Sequence, residues 1–143
     1  MADGCLFCQI IRGEVPGHLV HEDEHSVAFL DVLPLFPGHV LLVPREHHET
    51  LGDLPTPLVG PLFETAQLIA RAIEDALEAE GTLVAMNNRV SQSVPHLHIH
   101  VVPRRKRDGL KGFFWPRHKY ESDAAIAVVR DRLRLAIQRR RGG

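Results

Sequence analysis

The sequence predicts an α+β domain built on a mainly antiparallel sheet, and three observations lead there. Short apolar stretches that read as strands follow one another through turns rich in proline and glycine. One long stretch in the middle of the chain carries apolar residues at helical spacing. A second stretch of that kind closes the chain.

Each element has its own signal. "SVAFLDV" (26–32) alternates toward a strand and stops before Pro34. "PLFPGH" makes a turn, and "HVLLVP" (39–44) reads as the antiparallel neighbour. Thr56 ahead of Pro57 marks a helix start, and Leu62, Ala66, Ile69, Ile73 and Leu77 form its apolar stripe. Gly60 and Pro61 weaken the first turn and move the expected start of regular helix toward Leu62, while Gly81 supplies the stop. "TLVAMN" (82–87) is a short strand, "NRVSQS" a loop, and "PHLHIHVVP" (95–103) a further strand. After the basic, aromatic "GFFWPRHKYE", Ser122 can cap a last helix through about Gln138, with Ile126, Val129, Leu133 and Ile137 on one face.

At 143 residues the chain suits one domain with a real core, and 44% apolar with 24% charged residues is ordinary for a globular protein. No apolar run approaches the ~20 residues of a membrane span. The N-terminus lacks the layout of a signal peptide, so the expected location is the cytoplasm. The net charge of −1 hides an asymmetry. Residues 1–101 hold 4 Lys/Arg against 14 Asp/Glu (−10), whereas residues 102–143 hold 13 against 4 (+9). The stretch "RRKRDGLKG" beside the histidines reads equally as an anion-binding segment or a solvated basic face.

His96, His98 and His100 alternate with Leu97, Ile99 and Val101. In a strand this puts three imidazoles on one face and apolar side chains on the other. A metal site and a nucleophile with helpers both explain such a row better than packing alone. Cys5 and Cys8, three apart, suit a metal or a redox pair better than a structural disulfide.

"HLHIHVV" resembles the His-x-His-x-His-x-x motif of the histidine-triad (HIT) nucleotide-binding family, in its Hint-like bacterial branch. "CLFCQIIRGEVP", "AFLDVLPLFPGHVLLVPREH" and "NNRVSQSV" resemble other family segments, in family order, over residues 5–104, about 70% of the chain. The resemblance implies a five-stranded, mainly antiparallel sheet with one long central helix and a C-terminal helix. It also implies one HIT domain over residues 1–143, with its core at 5–104 and a basic, aromatic extension at 105–143.

The activity implied is that of a purine nucleotide hydrolase or transferase. It acts at the α-phosphorus of phosphoramidates or dinucleoside polyphosphates through a nucleotidyl-histidine, with no catalytic metal. The resemblance makes His98 the nucleophile, its second nitrogen kept protonated toward a backbone carbonyl, and places His100 at the phosphate as donor or proton shuttle. Ser93 and Asn87 lie at the phosphate or leaving group, with Gln92 beside them, and His39 is a fourth histidine supporting the triad. Asp31 accepts the ribose hydroxyls, and Phe7, Ile10, Val15, Phe29 and Val32 line the base pocket. Cys5, Cys8, His47 and His96 would hold structural zinc, with His48 competing for the place of His47.

A homodimer is implied as well, with no membrane partner and nucleic acid a distant possibility. The loop from Asn87 to Ser93 is about two residues shorter than in Hint-like members, and Pro95 stands where the family often has an aromatic. Trp115 and Arg117 of the extension read, from their aromatic and basic chemistry alone, either as approaching the leaving-group side or, the reading that ordinary packing favours, as part of an aromatic plug under the last helix. Two other functions fit the same residues: a slow-turnover nucleotide sensor, and a metal-dependent hydrolase with the three histidines as ligands.

Overall fold

In the computed structural model, which describes residues 4–110 and 117–142, five short strands pair antiparallel into one sheet. They are β1 (Leu19–Glu22), β2 (Ser26–Leu30), β3 (Val40–Pro44), β4 (Gly81–Ala85) and β5 (Ile99–Arg104), in the order β1-β2-β3-β5-β4. A short α1 (Leu6–Ile11) precedes them, and α2 (Thr56–Leu77) joins β3 to β4. The chain divides into two compact units, Met1–Asp108 and Gly109–Gly143, and the sheet, α1 and α2 belong to the first.

Strand alternation sorts side chains between two cores. Ala28, Val40, Leu42, Leu97, Ile99 and Val101 meet Leu62, Ala66, Ile69 and Ile73 of α2. Val27, Phe29, Leu41 and Val43 point the other way and meet Cys5, Phe7 and Cys8 around α1. At roughly 1.5–3 kcal/mol for each fully buried aliphatic or aromatic side chain, both faces contribute substantially.

The central helix starts at Thr56 rather than near Leu62. Pro57 presets the first-turn dihedral, and Leu58 and Val59 pack against the core, which outweighs the bond that Pro61 cannot make. It ends before Gly81, because Glu78 takes the left-handed cap position (φ 53°). The Arg105 guanidinium donates to the Leu77 carbonyl at that end. Gly81 instead opens β4.

Two elements have no sequence expectation behind them, α1 and β1; the first is six residues long and the second is mostly exposed. Gly38 turns the chain into β3 at φ +98°, where a Cβ would collide with Leu77 Cδ1.

The histidine segment differs from a half-buried strand. Pairing with β3 begins at Leu42↔Ile99, so His96, in a bend, and His98 lie just ahead of the ladder. Its imidazole face is also covered, with His96 at 0% and His98 at 3% exposure, because α1 packs there.

In the second unit, α3 spans Asp123–Gly142, a turn longer than expected. Ser122 Oγ accepts from the Ala125 amide at 3.0 Å, the cap the sequence indicates, and Arg139–Arg141 suit the negative end of the helix dipole. Its apolar stripe is exposed, and α3 buries none of its residues. Arg117 is exposed, and Trp115 falls outside the described residues. Among the described residues no helix is long and apolar enough to cross a membrane.

Candidate active site

His98 and His100 project onto the α1 side of the sheet, where His100 sits opposite Leu41 of β3. The Phe7 ring stands edge-on to His98 at 5.0 Å between centroids, and Phe29 backs Phe7 at 5.3 Å. A short helix thus places an aromatic wall directly beside the imidazoles.

Backbone partners assign each imidazole its proton. His98 Nδ1 lies 2.7 Å from the His96 carbonyl, which can only accept, so Nδ1 carries the hydrogen and Nε2 keeps the lone pair. His39 Nδ1 accepts from the Leu35 amide at 3.0 Å, which puts its hydrogen on Nε2. That Nε2 lies 2.9 Å from His100 Nδ1, which therefore accepts, leaving His100 with its own N–H on Nε2.

Burial lowers the pKa of His39, and lowers that of His100 to about 4, so both rings are neutral near pH 7. Asp31 Oδ2 stands 3.8 Å from His39 Nε2, and its Oδ1 accepts from the Leu33 amide at 2.9 Å. Asp31, His39 and His100 are close enough together to suggest a cation site. The Leu35 amide opposes it, because it holds the His39 hydrogen on the nitrogen that would have to bind the ion.

A second cluster gathers on the other side of His96. Its Nδ1 is 3.4 Å from Cys5 Sγ and 3.5 Å from Cys8 Sγ, and Cys8 Sγ is 3.3 Å from His47 Nδ1. A tetrahedral ion about 2.3 Å from sulfur and about 2.05 Å from nitrogen holds such atoms about 3.5 Å apart, so the spacing fits. His96 Nε2 donates to the Pro44 carbonyl at 2.9 Å, which frees Nδ1 as a ligand atom. Burial lowers the pKa of His96 to about 4, which also favours the neutral ring. Burial, then the neighbouring Cys5, pushes the Cys8 thiol above its usual range, a penalty that a bound cation reverses. His47 joins this group, whereas His48 turns to Glu46 at 3.1 Å.

The remaining expected residues spread over the same end of the sheet. Phe7 and Phe29 are buried, Ile10 and Val15 half-buried, and Val32 is 77% exposed. Ser93 and Asn87 are exposed, and Asn87 donates to the Ser91 carbonyl at 3.2 Å. Gln92 ties its loop to the chain leaving β3, donating to the Glu49 carbonyl at 2.7 Å and accepting from the Arg89 amide of its own loop at 2.8 Å. That clasp holds Arg89 (φ 72°) and Ser91 (φ 60°) in the left-handed region without glycine. The three histidines of the row do not converge on one point, since His96 turns to the cysteines and His100 to His39. The carbonyl that the resemblance implies behind His98 is that of His96, whereas the Leu35 amide and the Pro44 carbonyl were hidden from sequence reading.

The family model for the HIT domain matches residues 12–107. This chain belongs to the HIT family. Among HIT relatives, the protein hit of Bacillus subtilis is 41% identical over 120 residues, 82% of each chain. The adenosine 5'-monophosphoramidase HNT1 of Saccharomyces cerevisiae is 33% identical over 121 residues, 83% of this chain and 74% of that one. A solved structure of a zinc-bound histidine triad family protein from Mycobacterium smegmatis superposes with a TM-score of 0.72 at 38% identity, covering 76% of this chain and 81% of its own.

Proposed function

We propose that this chain is a purine nucleotide hydrolase or transferase working at the α-phosphorus through a nucleotidyl-His98 intermediate. One observation carries the reading: His98 Nδ1–H is fixed on the His96 carbonyl at 2.7 Å, so its lone pair is presented on Nε2. Attack forms the Nε2–phosphorus bond and breaks the bond to the leaving group, whose bridging atom takes a proton from solvent and departs as the free amine or nucleotide. The ring becomes cationic, and the His96 carbonyl stabilises it through the Nδ1–H. His100 Nε2–H, held in that tautomer by His39, donates to a phosphate oxygen as charge grows there. Ser93 and Asn87 add donors on the leaving-group side, and Gln92 sets the shape of their loop. Water then attacks phosphorus, the Nε2–phosphorus bond breaks, and the nucleoside monophosphate departs.

Asp31 takes the ribose hydroxyls with its carboxylate oxygens. Phe7, Ile10, Val15, Phe29 and Val32 hold the purine by packing, which discriminates weakly between adenine and guanine. Phosphoramidates or dinucleoside polyphosphates are the substrate class, and the yeast relative, an adenosine 5'-monophosphoramidase, supports the former. Cys5, Cys8, His47 and His96 hold zinc in a structural role, because four protein ligands leave no open position for water. The active form is a homodimer, which light scattering in solution checks.

Intact-mass analysis after mixing with an adenosine phosphoramidate tests the chemistry. A nucleotidyl adduct on His98 is expected, absent from a His98→Ala variant that still binds nucleotide. Turnover without any adduct refutes covalent catalysis.

A further inference from the structure

We propose that the Cys5–Cys8–His47–His96 cluster positions the nucleophile, so that metal occupancy sets the orientation of His98. This rests on His98 being the attacking residue.

The segment that carries His98 lies outside the sheet ladders: β3 pairs with β5 only from Ile99, and β4 only from His100. Its anchors are instead on the chain leaving β3. His96 Nε2 donates to the Pro44 carbonyl at 2.9 Å, and the Leu97 amide donates to the His48 carbonyl at 2.7 Å. The third anchor is the cluster itself, where the His96 ring meets both thiols and stands edge-on to His47 at 4.9 Å.

His96 is fully buried and faces two ways. Its ring enters the cluster, while its carbonyl receives the His98 hydrogen at 2.7 Å. An ion held by all four side chains fixes the His96 ring, hence its peptide plane, hence the direction of His98. The same ion fixes α1, whose Phe7 lies between the two cysteine ligands in sequence and packs against the His98 ring. Two of the contacts that orient the nucleophile, the His96 carbonyl and the Phe7 ring, therefore trace back to one cluster, while the His100 ring, edge-on at 5.0 Å, is independent of it. Groups that orient a working residue from behind commonly account for 10–100-fold effects. Loss of the ion should lower kcat on that scale, and KM should rise as well, because α1 also carries Phe7 and Ile10 of the base pocket.

The test uses the full chain loaded with zinc, the same chain stripped by a chelator, and a His47→Gln variant that keeps three ligands. Two readings are taken: the single-turnover rate of adduct formation with an adenosine phosphoramidate, and the imidazole N–H signal of His98 by nitrogen NMR. Amide protection of Val101 and Val102 reports whether the sheet remains folded. Slower adduct formation and a rapidly exchanging His98 N–H, with those amides still protected, support positioning. If stripping unfolds the sheet, the His47→Gln variant decides by the same two readings. Unchanged rate and unchanged N–H signal overturn positioning and leave the proposed function standing. A loaded chain that forms no adduct, but whose His98 N–H is sharpened by zinc, refutes the nucleophile while supporting the positioning.

Discussion

Replacing His100 with asparagine should make the protein less sensitive to mild acid. Burial holds His100 near pKa 4 in the folded chain, against about 6.5 for an exposed histidine. Between those values the unfolded chain binds a proton that the folded chain refuses, so stability falls as pH drops through that window and is fully present above it. At about pH 5 the unfolded ring is protonated about 30-fold over neutral while the folded ring is mostly neutral, a loss of about 2 kcal/mol. Asparagine cannot titrate, yet its oxygen can still accept from His39. Urea titrations of both proteins at about pH 7.5 and about pH 5, at one zinc concentration, measure the difference, and effects of the cluster common to both cancel. The wild type should lose about 2 kcal/mol more than His100→Asn. Equal losses within about 0.5 kcal/mol would refute the claim that His100 is kept neutral by burial.

Two further substitutions probe the frame and the sugar. Gly38→Ala forces a side chain into the left-handed region and onto Leu77, so the urea midpoint should fall by the equivalent of about 2 kcal/mol with an unchanged slope. Asp31→Asn turns one acceptor into a donor. The kcat/KM for a ribonucleoside phosphoramidate should fall on the order of tenfold while the 2'-deoxy analogue changes little, which the ratio of the two rates checks.

Periodicity made the sheet and both long helices readable, because a two-residue alternation and a 3.6-residue stripe each record which face is apolar, a face that α2 buries and α3 leaves exposed. It did not reveal α1, since "LFCQII" is too short and too uniformly apolar to show a period. Nor did it reveal β1, whose "LVHE" lies at the sheet edge with little buried surface to impose a pattern. Glycine was over-weighted as a helix stop, where Glu78 with help from Arg105 sufficed. At the site, the histidines were visible as side chains, and the resemblance implied a protonated second nitrogen on His98, but the tautomers of His39, His96 and His100 were not visible. They depend on the Leu35 amide and the Pro44 carbonyl, main-chain groups that no motif records. The choice between His47 and His48 was likewise open in sequence and is made by the path of the chain leaving β3.

The division of the sheet into two chemically unlike faces also guards folding fidelity. A slip by one residue of β5 and the segment leading into it would send His96, His98 and His100 into the hydrocarbon beneath α2 and turn Leu97, Ile99 and Val101 toward α1. Each imidazole would then lose its carbonyl, imidazole or thiol partner, at about 1–3 kcal/mol apiece. Misregistered pairings are therefore separated from the native one by several kcal/mol, although the ladder bonds themselves would be nearly as good. The chemistry laid out along this strand doubles as its alignment mark.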